Sequence, residues 1–316
     1  MGLASIFMNL KERAVAPIDF NGVKRLAERH AAKKHHLAYE RSLTRYDPGI
    51  EFVFGTDQEF VGAGKGQFTL NSYRRLKIEG RWAFEKIYAS GSLDWQKCLF
   101  FYENLLPGLA GLRVPGLLGL SAGQKLTVAR FEYVDFQPVG DDVYLNEVLY
   151  IGKRLGQLPS GAGFPQAFAD LSQHFGFERC FRKTIEVCEA SGRDSAWLIA
   201  LRARCEVMPR FVGHGDLSRP NMGGDGLVLD WDNLGFYPPG FDLALALVLL
   251  GKELTEPVIK VFAQQLHPAL AHRCRFEELW FSLIFFYGVF LSARKADQKM
   301  RFLELLDAIS FPHATE

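Results

Sequence analysis

The sequence predicts an α+β fold of two lobes, a small β-rich N-terminal lobe and a larger, mostly helical C-terminal lobe. The chain has 316 residues, which suits two domains of roughly 150 residues each. Residues 50–90 contain short aromatic or β-branched runs separated by Gly, Asn or Asp, a pattern typical of strands. After about residue 140 the pattern is mostly helical. These observations predict an N-terminal helical extension (1–49), an N-lobe (50–134) and a C-lobe (135–316).

The composition is that of a globular chain and excludes several classes of protein. Hydrophobic residues make up 48% and charged residues 23%, which excludes a disordered chain and a collagen. The 37 basic and 36 acidic residues give a net charge of +1, whereas a nucleic-acid-binding domain is expected to be strongly basic. The five scattered cysteines form no CxxC pair. Neither nucleic acid, a zinc site nor a disulfide framework is therefore predicted.

Targeting and membrane-spanning patterns are not found in the sequence. The N-terminus has no basic region before an apolar stretch, so it does not resemble a secretory signal peptide. The longest uncharged run, Leu279–Ala293, has 15 residues, fewer than the about 20 that cross a bilayer. We expect this run to form a buried core helix and the chain to be cytoplasmic.

Residues 11–45 are the most basic part of the chain. Nine Lys or Arg residues and four acidic residues give a local excess of +5. Apolar residues at helical spacing in Asn21–Leu43 predict an amphipathic helix. Two interpretations stay open: a solvated helix face, or a peripheral contact with an anionic surface or anionic substrate.

The N-lobe elements are predicted as short strands around one helix. A helix is expected over Ser92–Leu106, because its apolar residues recur near one face. Strands are expected at Glu51–Phe54, Glu59–Phe68, Ser72–Glu79, Trp82–Tyr88 and Leu126–Tyr133.

A segment rich in Gly, Asp, Asn and Pro interrupts the helical pattern at 208–240. A short apolar strand at Arg210–Val212 leads into His214-Gly215-Asp216, and Asn221 follows Asp216 on the same tight loop. A second strand, Leu227–Leu229, leads directly into Asp230 and is expected to pair beside the loop as a hairpin.

This spacing brings together the groups that phosphoryl transfer needs. One carboxylate and one amide oxygen can converge on a hard divalent cation such as Mg²⁺, which prefers oxygen ligands and keeps water and phosphate in its shell. A second carboxylate is left to orient and deprotonate an attacking hydroxyl. An isolated HGD or an Asp-rich turn is common, but the full pattern fixes several positions at once.

The pattern resembles the aminoglycoside phosphotransferase and choline kinase superfamily. Its catalytic loop typically reads HGDxxxxN and its metal segment reads apolar residues followed by D-W/F-[DE]; this chain has HGDLSRPN at 214–221 and DWD at 230–232. The resemblance implies a two-lobe protein-kinase-like fold, ATP as phosphoryl donor and Mg²⁺ as cofactor. Protein kinases typically have HRD and DFG instead, so Gly215 and Trp231 argue against that branch.

The resemblance also implies residue roles in this sequence. Asp216 matches the catalytic base, and Asn221 and Asp230 match the magnesium ligands. Supporting roles are implied for His214, which braces the loop, for Asp242, the buried acid on the helix behind it, and for Asp232 as a further candidate.

On the nucleotide side, the resemblance implies a phosphate-binding turn and a lysine. Gly62, Gly64 and Gly66 lie between two strand-like runs, where glycines let backbone N–H groups approach phosphates; a plain hairpin turn is the alternative. Lys86 resembles the lysine on the strand after that turn, which reaches the phosphates. Lys77 on the preceding strand is its main rival.

Two further features concern the same lobe. The superfamily usually has a Glu on the following helix to pair with the lysine, but the register here puts Gln96 or Cys98 at that place. Residues 131–134 resemble the inter-lobe hinge, so the backbone of Glu132 and Val134 is expected to hold adenine.

The acceptor is predicted less directly. No dense acidic cluster suited to a polycationic antibiotic is found in the C-lobe. Arg219, at the tip of the catalytic loop, is a candidate contact for an anionic acceptor or a phosphate. With the basic segment, it favours a sugar or glycan acceptor, including an anionic polysaccharide precursor. The alternatives are a protein kinase and a non-catalytic pseudokinase that acts as a binding module.

Overall fold

The computed structural model describes residues 44–45, 47–50, 58–63, 72–158, 164–169, 171, 176–204, 207–224, 226–251, 276–292 and 296–308. The helix predicted over 21–43, the strand predicted over 51–54, and the surface contact predicted for 11–45 therefore lie almost wholly outside the described residues. The chain divides into two compact units. The first includes Val114–Asp135 and the described residues up to Tyr102, and the second includes Glu103–Arg113 and the described residues from Phe136 onward.

The first unit contains an antiparallel sheet that has five strands within the described residues, in the order β1-β2-β3-β5-β4. The strand bounds are β1 Gln58–Ala63, β2 Ser72–Ile78, β3 Arg81–Ala89, β4 Leu117–Ala122 and β5 Leu126–Glu132. Four of these overlap predicted strands, with ends that differ by up to a few residues. β4 is a strand that the sequence pattern did not predict.

One face of this sheet carries the core of the unit. β3 and β5 pair so that Lys86 lies opposite Ala129 and Phe84 opposite Phe131, and residues opposite each other share a face. Helix α1 (Leu93–Phe100) begins at Ser92, whose hydroxyl accepts from the Trp95 N–H and caps it. Six buried residues form the cluster between helix and sheet: Tyr88, Trp95, Cys98, Leu99, Ala129 and Phe131.

The end of α1 differs from the prediction of one helix over Ser92–Leu106. The α-helix ends at Phe100, continues as a π-helical turn over Phe101–Leu105, and ends as a 3-10 turn over Leu106–Gly108. Pro107 has no backbone N–H to donate, and it cannot continue a regular helix.

A buried carboxylate ties the N-terminal end of the described chain to the turn between β4 and β5. Asp47 is 1% exposed, and its side chain accepts hydrogen bonds from four backbone N–H groups, those of Gly49, Gln124, Lys125 and Leu126, at 2.7–3.3 Å. Burial alone would raise the pKa of this carboxyl, but the four N–H donors outweigh burial and lower it.

The second unit is mostly helical. Its helices are α2 Asp141–Gly156, α3 Phe177–Ala190, α4 Ala196–Arg204, α5 Phe241–Leu250, α6 Phe276–Ser292 and α7 Ala296–Ala308. Four short strands interrupt them: β6 Phe211–Gly213, β7 Met222–Gly223, β8 Leu227–Val228 and β9 Gly235–Tyr237.

Apolar packing around α6 forms the core of this unit. α6 packs against α3 and α5, and Phe181, Phe281 and Phe285 are each almost fully buried within it. The prediction of a buried core helix over Leu279–Ala293 is therefore confirmed. Among the described helices, none combines the length and apolar character needed to cross a membrane.

Candidate active site

The candidate catalytic loop, residues 214–221, lies between two small antiparallel strand pairs. β6 pairs with β9, and β7 pairs with β8, so the predicted hairpin ending near Asp230 is confirmed. The loop leaves β6 at His214 and ends in a 3-10 turn over Arg219–Asn221. The Leu229 N–H donates to the Asn221 carbonyl at 2.9 Å, which holds the end of the loop beside the residue that precedes Asp230.

Asp242 holds the start of the loop from behind. Its carboxylate lies in the first turn of α5 and accepts from the backbone N–H of His214 at 2.9 Å and of Gly215 at 2.8 Å. Burial raises the pKa of Asp242 to about 6, although both N–H donors act in the opposite direction. Two otherwise unpaired backbone donors are thus satisfied inside the protein.

The His214 ring connects the loop to Leu229, the residue before the candidate metal ligand Asp230. The Asp216 N–H donates to Nδ1 at 3.2 Å, so Nδ1 is an acceptor and the proton is on Nε2. Nε2 then donates to the Leu229 carbonyl at 2.9 Å. Both ring nitrogens are engaged within the protein, which suits a bracing residue and not a general base.

Asp216 and Asn221 contact each other directly. The Asn221 amide nitrogen donates to the backbone carbonyl of Asp216 at 3.0 Å and to its carboxylate at 3.1 Å. The Ser218 side chain also hydrogen-bonds the Asp216 carboxylate, a contact that the motif alone did not predict. Because the Asn221 amide nitrogen faces Asp216, its amide oxygen is the atom left to serve as a ligand.

Two carboxylates give this site its electrostatic character. Burial, and then the neighbouring Asp230 carboxylate, raise the pKa of Asp216 to about 7. Asp230 itself adopts a left-handed backbone conformation, with φ 63° and ψ 67°. Asp is one of the few residues other than Gly that adopt this region, and strain of this kind is often found at functional sites.

The donor set fits a cation that retains water and phosphate in its shell. Within the described residues, no group of three or more His, Cys, Asp or Glu side chains could hold a metal by itself. One carboxylate and one amide oxygen are what Asp230 and Asn221 offer. Mg²⁺ is usually bound by one or two carboxylates together with substrate phosphates, so these residues fit Mg²⁺ better than zinc.

Comparison with known proteins agrees with this geometry. Residues 169–277 match the sequence model of a family described as the phosphotransferase enzyme family. Over these residues the chain is similar to that family. This confirms the resemblance that the HGDLSRPN and DWD motifs indicate. No curated protein matches the chain.

Solved structures resemble the chain at low sequence identity. A candidate fructosamine-3-kinase from Haemophilus somnus 129PT has a TM-score of 0.50 at 14% identity, covering 85% of this chain and 96% of its own. A thermostable APH(4)-Ia in complex with ADP and hygromycin B has 0.49 at 15%, covering 86% and 99%. The gentamicin complex of APH(2")-IIa has 0.48 at 11%, covering 84% and 94%. The first of these shows that the kinase-like fold is shared.

The lysine that the sequence favours is the more buried of the two candidates. Lys86 is 4% exposed and its ammonium lies 5.1 Å from the centre of the Tyr88 ring, whereas Lys77 is half-buried over Trp82. Lysine is rarely this buried, which distinguishes Lys86. In α1 the only acidic residue is Asp94, in the first turn, so this helix offers no Glu to pair with Lys86.

The structure describes three of the five other residues predicted to bind nucleotide, namely Gly62, Glu132 and Val134. Gly62 lies in β1 beside a register shift in its pairing with β2, while Gly64 and Gly66 lie outside the described residues. Glu132 ends β5, is exposed, and donates its N–H to the Gly116 carbonyl at 2.8 Å. Val134 is half-buried. Their roles in binding nucleotide stay predictions.

The Arg219 side chain contacts residues of its own unit, and the Asp232 side chain is buried. The Arg219 guanidinium donates to the Val139 carbonyl at 3.0 Å and forms an ion pair with Asp141. Asp232 is 7% exposed. Sequence reasoning missed Tyr144, whose hydroxyl reaches the loop from α2, because no local pattern marks such a long-range contact.

The raised pKa of Asp216 predicts a pH-dependent stability. The folded, metal-free protein keeps a proton on this carboxyl that the unfolded chain releases near pH 4. Because the folded state binds this proton more tightly than the unfolded chain, protonation of Asp216 stabilises the fold. This contribution is fully present below pH 4 and is lost as the pH rises to about 7. Asp216→Asn, which cannot ionise, is therefore expected to be more stable than the parent at pH 8, by on the order of 2 kcal/mol.

Urea unfolding in the presence of a chelator at pH 4 to 8 measures this difference. The gain is expected to shrink towards zero near pH 4. Asp297→Asn, at an exposed position on α7, is the matched control. A stability difference that stays constant with pH would contradict the environment described for Asp216.

Proposed function

We propose that the chain is an ATP- and Mg²⁺-dependent phosphotransferase that transfers the γ-phosphoryl group to a hydroxyl of a small molecule, a sugar or a glycan precursor. The observation that carries this proposal is the placement of the Asp216 carboxylate. It lies on a loop fixed by Asp242 and His214, is held by the Asn221 amide, and has a second carboxylate, Asp230, close enough to raise its pKa.

Asp216 is proposed as the catalytic base. Its carboxylate would accept a hydrogen bond from the acceptor hydroxyl and orient the hydroxyl oxygen towards the γ-phosphorus. It would take up the proton as the new P–O bond forms and the bond from the γ-phosphorus to the departing ADP breaks. The Asn221 and Ser218 hydrogen bonds fix the direction of the carboxylate. A base with a pKa near the working pH combines a useful ionised fraction with proton affinity.

Asn221 and Asp230 are proposed to hold Mg²⁺ through the amide oxygen and a carboxylate oxygen. When bound, the ion supplies positive charge that offsets the charge of the triphosphate. It would also offset the repulsion between the Asp216 and Asp230 carboxylates, which favours ionised Asp216. Asp232 is proposed as an additional candidate for contact with this ion, because it follows Asp230 on the same turn.

The first unit is proposed to bind the nucleotide. Lys86 would neutralise phosphate charge, the glycine turn that includes Gly62, Gly64 and Gly66 would approach the phosphates, and the backbone of Glu132 and Val134 would hold adenine. The burial of the Lys86 ammonium supports its part of this proposal.

The binding step is tested by thermal unfolding with ATP, with and without Mg²⁺. A ligand present at 100 times its Kd stabilises by about 2.7 kcal/mol, so we expect a clear rise in Tm that requires both ATP and Mg²⁺. Asp230→Ala is expected to remove the Mg²⁺-dependent part of the rise, since it removes a proposed ligand. Asp297→Ala on α7 is the control.

The outcomes separate the candidate functions. A parent protein with no rise in Tm at millimolar MgATP would contradict the proposal and favour a pseudokinase, for which the absence of a Glu from α1 is the supporting observation. An Asp230→Ala variant that retains the full rise would overturn the assigned ligand.

The acceptor is proposed to be a sugar or glycan hydroxyl. Support comes from the lack of a dense acidic cluster in the C-lobe sequence. MgATP consumption with a panel of sugars, acidic glycans and aminoglycosides tests it. Turnover with aminoglycosides alone would overturn the sugar assignment, and turnover with generic protein substrates would favour a protein kinase.

A further inference from the structure

The start of α2 contacts the back of the catalytic loop at two separate points. The Tyr144 hydroxyl donates to the Leu217 carbonyl at 2.5 Å. The Arg219 Nε donates to the Val139 carbonyl at 3.0 Å, and its guanidinium also forms an ion pair with Asp141. Leu217 and Arg219 lie on either side of Ser218, so the contacts bracket the stretch that follows Asp216.

Tyr144 is built to serve as a hydrogen-bond donor at this place. The side chain is fully buried. Burial, followed by the nearby carboxylates of Asp216 and Asp242, raises the pKa of the phenol, so the hydroxyl keeps its proton. A neutral hydroxyl can satisfy a buried carbonyl without introducing a second charge beside Asp216.

The contacts of Arg219 differ from those of a substrate-binding arginine. Two of its donors are directed at residues 139 and 141, which precede or begin α2. The Val139 N–H in turn donates to the Met222 carbonyl at 3.2 Å. Residues on both sides of the 3-10 turn are thus tied to the segment that leads into α2.

We infer that the first turn of α2 and the residues before it form a platform that sets the position of Asp216, with Tyr144, Asp141 and Arg219 as positioning residues. This inference rests on the proposed function, in which Asp216 is the base. Asp242 and His214 hold the start of the loop. The side-chain hydrogen bonds of Asp216 go to Ser218 and Asn221 of the same loop, so the stretch after Asp216 needs further contacts to hold it relative to the rest of its unit. Displacement of a reacting group by about 1 Å can cost on the order of a hundredfold in rate.

The platform is tested first with Tyr144→Phe, which removes only the hydroxyl. Hydrogen exchange of the backbone amides in 214–223 reports the position of the loop without any acceptor. MgATP hydrolysis, with water as the acceptor, reports turnover. We expect exchange to become faster and kcat to fall, each about tenfold, because a buried carbonyl loses its partner, while KM for MgATP changes less than about twofold.

Tyr150→Phe is the matched control. Tyr150 is on the same helix, and its hydroxyl also donates to a backbone carbonyl, that of Gly111, at 3.1 Å. This contact is made outside the catalytic loop, so exchange in 214–223 and kcat are expected to stay at the parent values. Equal effects from both changes would indicate a general loss of helix packing and overturn the inference.

The ion pair is tested with a double-mutant cycle of Asp141→Asn and Arg219→Gln. If the Asp141–Arg219 ion pair acts as one positioning contact, each single change is expected to lower kcat by a similar factor. The double change is then expected to be no worse than either single change. Asp307→Asn, which breaks the exposed pair with Arg193, is the control. If Arg219 instead binds substrate, Arg219→Gln alone raises KM and Asp141→Asn has little effect, which overturns the inference.

Failure of the inference and failure of the proposed function give different results. A parent protein that does not hydrolyse MgATP contradicts the proposed function, and faster exchange in Tyr144→Phe then still supports the contact but not a role in turnover. Unchanged exchange in Tyr144→Phe overturns the platform whatever the enzyme activity. Faster exchange with unchanged kcat shows that the contact does not position Asp216.

Discussion

Asp216→Asn is expected to lower turnover with the best acceptor by about 10³-fold, because positioned proton transfer contributes roughly 10² to 10⁴. The amide can retain hydrogen bonds within the loop, but it cannot take a proton from the acceptor hydroxyl. The rise in Tm with MgATP is expected to persist, since neither Asn221 nor Asp230 is changed. Phosphate transfer from labelled ATP and thermal unfolding of the same preparation measure both quantities.

Asp297→Asn is the control for this change, since it removes an exposed carboxylate from α7. Turnover equal to that of the parent in Asp216→Asn would reject the role of base. Loss of both turnover and nucleotide binding would assign Asp216 to the nucleotide or metal site instead.

Gly215→Ala is expected to destabilise the protein by about 3 kcal/mol or more and to remove activity. Gly215 has φ +83°, a conformation that costs an L side chain free energy. A Cβ atom there would also overlap the Asn233 carbonyl oxygen and the Tyr237 hydroxyl. The backbone oxygen cannot move without displacing the metal segment, so the loop must shift.

Gly224→Ala is the matched control, because that glycine lies in the turn between β7 and β8 and its Cβ would meet no atom within 4 Å. Urea unfolding and MgATP hydrolysis of both variants make the comparison. A Gly215→Ala protein with the stability of the parent would contradict the loop geometry. It would also mean that no steric clash explains why position 215 is Gly here, whereas protein kinases have Arg in the corresponding motif.

The candidate site was largely predictable because its parts lie close together in the chain. Asp216 and Asn221 are five residues apart on one loop, and Asp230 follows a short strand that pairs beside it. Local spacing therefore defines which side chains meet. The tyrosine of the α2 platform is 73 residues from the carbonyl it binds, and no local pattern relates Tyr144 to Leu217.

In the fold, too, elements with a clear local sequence pattern were predicted and those without one were not. Alternating aromatic and β-branched residues predict β3 and β5, which are central strands with large buried side chains. β4 has the sequence LLGLSA, with a Gly and no clear alternation, and its side chains are mostly half-exposed at the edge of the sheet. The sequence favours Lys86 but leaves Lys77 as its rival, because which lysine is buried depends on the pairing of β3 with β5.

The contact made by Asp47 determines where the chain can be shortened. The Asp47 carboxylate accepts hydrogen bonds from the backbone N–H groups of the β4–β5 turn. A Cβ atom on Gly123 would overlap this carboxylate. A truncated protein that starts at residue 50 would leave three turn amides without their acceptor, whereas one that starts at residue 44 retains it. The basic segment 11–45 ends just before Asp47, so a protein that starts at residue 44 would lose nearly all of that segment and keep the anchor.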